Sequence, residues 1–560
     1  MRSTYVHGMG LGFVLCLCLI SLGCGTGAYK SASREENSQA TPAKTRAPMM
    51  DAAPLAEIAL PSATTEAYAH VAESPLVAVK DRPRSTFSID VDTASYSNVR
   101  RFLQQRQLPP PDAVRIEECI NYFTYDYPPP DGDAPFSVHA EVAGCPWNPA
   151  HRLAKIGIQG RRIAAQQRPG SNLVFLLDVS GSMNHPKKLP LLKESMRMLL
   201  EQLGENDHVA IVVYAGAAGV VLPSTSATRK QVIHHAIENL HANGSTNGAL
   251  GIRLAYDIAV ENFIKDGVNR VLLCTDGDFN VGITDPAQLT ELIESRAKSG
   301  VFLSVLGFGM GNLKDATMER LADRGNGNYA YIDSHAEAKK VLVDQLSGTL
   351  VTIAKDVKIQ VEFNPAQVAG YRLIGYDNRR LADRDFKDDT KDAGEIGAGH
   401  SVTALYEIVP AGIALASQRR PDEEPLKYQP ATATTDDSVV EPQPVVAAPP
   451  FSDELLTVSL RYKPLTGDTS LPLKFAVTDG GTSFAQATSD FRFASAVALF
   501  AMLLKDSPYC GQSTLDLVLE LADTARGTDP NGYRAEFVDL VRQARALRSD
   551  QPSRREMPAD

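Results

Sequence analysis

Leu173-Val-Phe-Leu-Leu177, running into Asp178-Val-Ser180-Gly-Ser182-Met183, is the stretch that decides the fold. Five consecutive apolar residues bounded by polar ones are typical of a fully buried strand. An aspartate and two serines then follow at alternate positions, which point the same way while the chain stays extended. Carboxylate and hydroxyl oxygens are hard ligands of the kind Mg2+ accepts. The stretch therefore predicts a buried strand that ends in a candidate cation site.

Strands and helices are predicted to alternate from residue 172 to about residue 350. The expected strands are 173–177, 208–214, 270–274, 301–308 and 329–332, with a short antiparallel edge strand at 219–222. The expected helices are 189–203, 229–240, 249–263, 286–298, 314–323 and 336–346. Such alternation with short connections predicts an α/β class fold, with a doubly wound, mainly parallel sheet and helices on both faces.

Two further loops are expected at the same sheet edge. In open parallel sheets, ligands bind at the carboxyl ends of strands where the strand order reverses. The apolar run 271–274 ends in Thr275-Asp276, and the loop 243–248 supplies the hydroxyl of Thr246. The combined candidate ligands are Asp178, Ser180, Ser182, Thr246 and Asp276.

This set, in this order, resembles the metal-ion-dependent adhesion site of von Willebrand factor type A domains, and the resemblance covers residues 172–350. It implies Ser180 and Ser182 as direct ligands, with Asp178, Thr246 and Asp276 coordinating directly or through water. It also implies Mg2+ as the ion, with Mn2+ or Ca2+ possible, and an open position for an acidic side chain of a partner protein. The alternative is an ion that only stabilises the domain.

Strand-rich sequences flank this unit on both sides. Residues 85–96, 108–118 and 121–123 resemble the N-terminal module of a bacterial lipoprotein family with a central von Willebrand factor type A domain, and 356–496 resembles its C-terminal domain of unknown function. The expected organisation is a signal peptide (1–24), a flexible tether (25–84), an N-terminal module (85–165), the α/β domain (166–350) and a β-rich, then helical region (351–549) with a disordered insertion near 418–450. One β-sandwich carrying the α/β domain as an insertion, and two separate β units, both fit this pattern.

The first residues indicate export. Arg2 precedes an apolar run over 11–22 that is too short to span a bilayer, as in secretory signals. Ser21-Leu-Gly-Cys24 resembles a lipobox, which implies lipidation of Cys24; simple cleavage near Gly23 is the alternative. Gly25 favours outer-membrane sorting, so we expect a lipid-anchored envelope protein, periplasmic or surface-facing. The net charge of -11 argues against a nucleic-acid partner.

The sequence offers no nucleophile, base and orienting group in a pattern that supports hydrolysis. Asp90-Val-Asp92 resembles an aspartyl nucleophile only superficially, and a turn or capping role is favoured. Cys119 and Cys145 could pair in an oxidising compartment. The resulting hypothesis is a non-enzymatic envelope protein that recognises a protein partner through a metal-bridged carboxylate. The alternative is a structural or assembly scaffold of the envelope.

Overall fold

The computed structural model describes residues 66–244, 248–277, 286–415 and 453–549. The expected signal peptide with Cys24, the hydroxyl residue Thr246 and the expected insertion near 418–450 lie outside the described residues. Among the described helices, none is long and apolar enough to cross a membrane.

Sixteen strands are described, in chain order: β1 (Val77–Ala78), β2 (Arg84–Ser88), β3 (Phe136–Gly144), β4 (Arg152–Gly160), β5 (Ser171–Asp178), β6 (His208–Tyr214), β7 (Ala218–Ser226), β8 (Val268–Thr275), β9 (Phe302–Phe308), β10 (Tyr329–Ile332), β11 (Thr352–Phe363), β12 (Val368–Ile374), β13 (Gly394–Gly397), β14 (Ser401–Pro410), β15 (Glu454–Lys463) and β16 (Leu471–Thr478). The described α-helices are α1 (Ala94–Gln104), α2 (Ile116–Asn121), α3 (Leu189–Gln202), α4 (Lys230–Glu238), α5 (Gly248–Glu261), α6 (Pro286–Ala297), α7 (Asp315–Arg324), α8 (His335–Lys339), α9 (Leu346–Leu350), α10 (Ser489–Leu504), α11 (Leu515–Thr524) and α12 (Tyr533–Ser549).

The α/β domain has one six-stranded sheet with the order β10-β9-β8-β5-β6-β7. All its pairings are parallel except that of the edge strand β7 with β6. Along β5, Leu173, Phe175 and Leu177 face one core with α3 and α4, whereas Val174 and Leu176 face a second core with α5, α6 and α7. Helices therefore cover both faces, which confirms the doubly wound α/β prediction.

The flanking strands form one β-sandwich. The first sheet has the order β1-β12-β14-β4-β3, and the second has β13-β11-β15-β16 with β2 paired to β11. Each sheet thus contains strands from before and after the α/β domain. Aromatic rings fill the space between the sheets; the ring centroids of Phe363 and Tyr371 lie 4.1 Å apart. The α/β domain is therefore an insertion in a single sandwich, which is the first of the two alternatives that the sequence left open, because segments 85–165 and 351–549 share both sheets.

A helical layer completes the sandwich region. Helices α10, α11 and α12 pack with α1 and α2 around a core rich in phenylalanine. The rings of Phe123, Phe493 and Phe537 contact one another at centroid distances of 5.0–5.6 Å. Helix α10 is buried along most of its length, which agrees with a sequence that is apolar on all sides. This layer confirms the predicted helical character of the C-terminal part.

Two other boundaries differ from the sequence prediction. The expected tether is too long, because β1 pairs with β12 and the Glu66 carboxylate accepts a hydrogen bond from Arg101 at 2.8 Å. The predicted helix 336–346 is replaced by α8, a π-helical turn over Lys340–Asp344 and α9. Lys340 in that turn is buried and donates to the backbone carbonyl of Tyr122 at 2.8 Å. A tertiary contact therefore overrides the local helical periodicity.

Asp90 and Asp92 have structural roles. The Asp90 carboxylate accepts the backbone N–H of Asp92 at 2.9 Å, which makes the predicted turn, and Asp92 accepts the backbone N–H of Tyr329 at 2.7 Å. Both carboxylates also pair with Arg379. In the described part of the chain, Cys119 and Cys145 are free thiols in the structure, and both are buried.

Candidate metal centre

Strand register brings three polar residues to one level at the carboxyl edge of the α/β sheet. In the parallel pair β5–β6, Asp178 is opposite Tyr214. In the parallel pair β5–β8, Leu177 is opposite Cys274, so Asp178 and Thr275 are the next residues along. Because both pairings are parallel, the three side chains meet where the strands end. The strand order alone therefore places the side chains of Asp178, Tyr214 and Thr275 next to one another.

The Asp178 carboxylate is fully buried and fixed by three donors. Its Oδ1 accepts the backbone N–H of Ser180 at 2.9 Å. Its Oδ2 accepts the hydroxyls of Thr275 at 3.2 Å and Tyr214 at 3.3 Å. Burial raises the pKa of Asp178 to about 6, although the hydrogen bonds from Ser180 act in the opposite direction. A carboxylate whose charge is this costly to bury is one that a bound cation would stabilise.

Ser180 and Ser182 present their hydroxyls side by side. Their Oγ atoms lie 3.0 Å apart, and Ser180 is buried whereas Ser182 is exposed to solvent. Two neighbouring ligands of an octahedral Mg2+, each at 2.0–2.1 Å, are about 2.9 Å apart. The spacing of the serine hydroxyls therefore fits adjacent positions around such an ion. The exposure of Ser182 also means that this side of the site opens to solvent.

Asp276 follows β8 and is also fully buried. Its Oδ2 accepts a hydrogen bond from the ammonium of Lys188 at 2.8 Å, and the same ammonium donates to Asn312 Oδ1 at 3.1 Å. Burial acts to raise the pKa of Asp276, but the Lys188 ammonium outweighs it and holds that pKa below the usual range. The two aspartates of the site thus differ in their surroundings: the three donors to Asp178 described above are neutral, whereas those to Asp276 include a cation as well as Asn312 and Ser182.

The third predicted loop approaches the site through its backbone. The N–H of Gly181 donates to the carbonyl of Gly244 at 3.0 Å, and the N–H of Asn243 donates to the carbonyl of Val179 at 2.7 Å. Gly244 has φ +89°, a conformation that favours glycine. Thr246 itself lies outside the described residues. The structure thus brings together Asp178, Ser180, Ser182 and Asp276, and the role of Thr246 stays a prediction.

Sequence reasoning missed four residues of the site: Lys188, Tyr214, Thr275 and Asn312. Tyr214 and Thr275 are the last residues of β6 and β8, so the rule that ligands gather at strand ends could have found them. Lys188 and Asn312 carry no such signal, because their contacts depend on how two loops fold over each other.

Two other groups of carboxylates lie close enough to share an ion; as at Asp276, one carboxylate of each pairs with a basic side chain, but neither group includes a pair of hydroxyls. Asp90, Glu118 and Glu319 form the first group, and Asp356, Asp392 and Glu395 form the second. Arg379 pairs with Asp90 at 3.2 Å, and Lys463 pairs with Asp356 at 2.6 Å. The oxygen-rich edge of the α/β sheet, with its hydroxyls and open side, is the better candidate.

Comparison with known proteins shows which protein families this chain resembles. Three family models match: "von Willebrand factor" over residues 62–155, "von Willebrand factor type A domain" over 172–345, and "Uncharacterized protein YfbK, C-terminal" over 348–547. The chain is 42% identical over 487 residues to the protein YfbK of Escherichia coli (strain K12), covering 86% of this chain and 81% of that relative. It is 27% identical over 271 residues to human inter-alpha-trypsin inhibitor heavy chain H3, covering 44% of this chain and 30% of that relative.

Two solved structures are similar to this chain over about three quarters of its length. A von Willebrand factor type A protein from Catenulispora acidiphila covers 75% of this chain and 91% of its own, with a TM-score of 0.41 and 16% identity. The ArnB paralog VWA2 from Sulfolobus acidocaldarius covers 74% of this chain and 98% of its own, with a TM-score of 0.35 and 14% identity.

Proposed function

Because the chain belongs to the YfbK family of von Willebrand factor type A domain proteins, we propose that it is a non-enzymatic envelope protein that binds a divalent cation and recognises a protein partner through it. The observation that carries the proposal is the pair of serine hydroxyls 3.0 Å apart in front of the buried Asp178 carboxylate. Type A domains generally mediate protein–protein interactions, and this site has the donor set for such a role.

Ser180 and Ser182 would hold the ion directly, and Asp178, Thr246 and Asp276 would act directly or through water. When bound, the ion supplies a Lewis-acidic position that accepts an additional oxygen ligand. The protein's own part is to fix the hydroxyls and to keep Asp178 buried behind them. Since Ser182 is the exposed residue among the described members of the set, a partner's carboxylate would approach from that side. The chain's net charge of -11 disfavours an acidic partner at long range, so a local cation is needed to hold it.

The proposed location is the cell envelope, with a lipid anchor on Cys24 and the outer membrane as the destination that Gly25 favours. The apolar run over 11–22 and the sequence Ser21-Leu-Gly-Cys24 support export. Globomycin treatment of cells should cause a larger, unprocessed form to accumulate, and Cys24→Ala should abolish radiolabelled palmitate incorporation. Palmitate incorporation that persists in Cys24→Ala would remove the anchor from the proposal.

The partner hypothesis is tested by crosslinking pull-down from native envelopes with Mg2+ or with a chelator. Asp178→Ala and Ser182→Ala should lose the captured protein, as should chelation, while circular dichroism shows that both variants remain folded. Ser226→Ala is a matched control, because Ser226 lies at the far end of the edge strand β7. Equal capture with and without chelator would reject metal-bridged recognition.

One observation favours a second candidate, a scaffold in which the ion only stabilises the domain. Asp178 is fully buried, and a bound cation would offset the cost of burying its charge. This role predicts that chelation lowers the melting temperature while capture of envelope proteins is unchanged. The two candidates therefore differ in capture and not in melting temperature.

A further inference from the structure

A lysine side chain is built into the candidate metal centre. Lys188 lies just before α3 and is 7% exposed. Its ammonium donates to Asp276 Oδ2 at 2.8 Å and to Asn312 Oδ1 at 3.1 Å. These contacts hold the Lys188 ammonium against Asp276, whose carboxylate is also a proposed ligand of the cation.

The surrounding backbone is shaped to admit this side chain. Gly309 has φ +81°, and a Cβ there would lie 2.3 Å from Cγ and 2.4 Å from Cε of Lys188. Any larger residue at position 309 would therefore overlap the lysine stem. The loop after β9 also brings Asn312 to the ammonium. Three separate segments thus meet at Lys188, which argues for a fixed position and against a surface lysine that folds back by chance.

Charge balance indicates what this lysine does. Among the described residues of the site, Asp178 and Asp276 are two fully buried acids and Lys188 is a buried base. A divalent ion that enters beside Asp276 must share that carboxylate with the ammonium. We propose that Lys188 is a resident counter-ion, which holds the Asp276 carboxylate in place without metal and which sets a low affinity for divalent cations. The inference rests on the proposed metal site and concerns how strongly that site binds.

The expected direction follows from Coulomb's law. A unit positive charge across one carboxylate repels a divalent ion, and this repulsion is worth on the order of tenfold in affinity even at a water-like dielectric constant. Lys188→Met removes the charge but keeps an unbranched stem that fills the channel beside Gly309. Lys188→Arg keeps the charge and serves as the matched control.

Isothermal titration of the purified full chain with Mn2+ alone, and separately with Mg2+ alone, tests the proposal. Lys188→Met should bind Mn2+ about tenfold more tightly than the wild type, whereas Lys188→Arg should stay within a factor of about three. Without metal, Lys188→Met should melt at a lower temperature than the wild type, and saturating Mn2+ should remove most of that difference. A residue with only a packing role would lower the melting temperature without tightening Mn2+ binding.

Lys188→Met that is folded by circular dichroism and binds Mn2+ no more tightly than the wild type would overturn the proposal. Lys188→Gln provides a second neutral side chain if the methionine variant does not fold, and the same comparison applies to it. Binding by neither wild type nor neutral variants would refute this inference together with the metal site. Failure of the partner hypothesis is distinguishable, because envelope capture would then be insensitive to chelator while the Mn2+ affinities still differ.

Discussion

Replacing Arg379 by methionine should remove a large part of the stability of this protein. Arg379 lies in the sandwich region and is nearly buried, with 10% of its side chain exposed. It pairs with Asp90 at 3.2 Å and Asp92 at 3.3 Å near the start of the sandwich, and with Glu319 at 3.2 Å and Asp323 at 2.7 Å on α7 of the type A domain. One guanidinium therefore joins two parts of the fold.

The size of the effect follows from what the substitution leaves behind. Asp90 and Asp92 are 2% and 3% exposed, so their charges cannot be solvated when the arginine is gone. Removing one partner of a buried ion pair typically costs about 3–5 kcal/mol, and we expect the free energy of unfolding to fall by that amount at pH 8. Arg542→Met is the control, because its pair with Asp539 is more than half exposed and should contribute about 0.5 kcal/mol or less.

The loss should depend on pH. Burial raises the pKa of Asp92, Glu319 and Asp323 above their usual values, with Arg379 acting in the opposite direction. An acid whose pKa is higher in the folded state binds more protons there, so its contribution to folding improves as pH falls. Without Arg379 these pKa values should rise further, and the deficit should shrink between pH 8 and pH 5.

Urea unfolding followed by fluorescence measures both effects, since Trp147 is the single tryptophan and is buried in the helical layer. Differential scanning calorimetry should show whether the type A domain and the sandwich unfold together. A deficit below about 1 kcal/mol at pH 8, or one that grows toward pH 5, would refute the argument that Arg379 neutralises buried acids.

Three further predictions follow from single contacts. Gly309→Ala should cost about 1–3 kcal/mol, because its Cβ would overlap Lys188; thermal unfolding would show it, and an unchanged midpoint would contradict the contact. Mg2+ at a fixed concentration, one hundred times its dissociation constant at pH 7.5, should raise the free energy of unfolding by about 2.7 kcal/mol at that pH. The same concentration should stabilise less at pH 5, because burial raises the pKa of Asp178 to about 6 and protons then compete with the ion; equal stabilisation at both pH values would argue against Asp178 as a ligand. Burial, aided by Arg270, lowers the pKa of His400 to about 4, so the wild type should lose stability relative to His400→Phe as pH falls from 6.5 through 4; parallel urea midpoints over that range would refute this.

The sequence was most informative where local pattern and burial agree. The strands 208–214 and 329–332 are observed with the predicted bounds, because each is an apolar run in a sheet covered on both faces. By contrast, β16 was not predicted. Most of its residues are exposed and it pairs only with β15, so its sequence lacks the apolar pattern that burial produces. β13 was not predicted for a different reason: it is four residues long and begins and ends with glycine, so it has no strand pattern to detect.

The candidate site likewise contains residues that the sequence predicts and a residue that it does not predict. Asp178, Ser180, Ser182 and Asp276 were predictable because strand ends in a parallel sheet gather at one edge. Lys188 was not predictable, because its contact with Asp276 requires the segment before α3 to pass beneath the loop at Gly309. Local sequence does not predict which distant segment of the chain a long side chain will contact.

The loop between β9 and α7 connects the metal centre to the body of the protein. Asn312 in this loop accepts a hydrogen bond from Lys188, and Asp315 at the start of α7 pairs with Arg115 of the sandwich region. Tyr329 of β10 donates to the same Asp315 at 3.0 Å. A side chain that orders the site is therefore three residues from one that fixes the type A domain to the sandwich. Since Asp315 is 1% exposed, its ion pair with Arg115 is a buried contact between the type A domain and the sandwich region, close in sequence to the candidate metal centre.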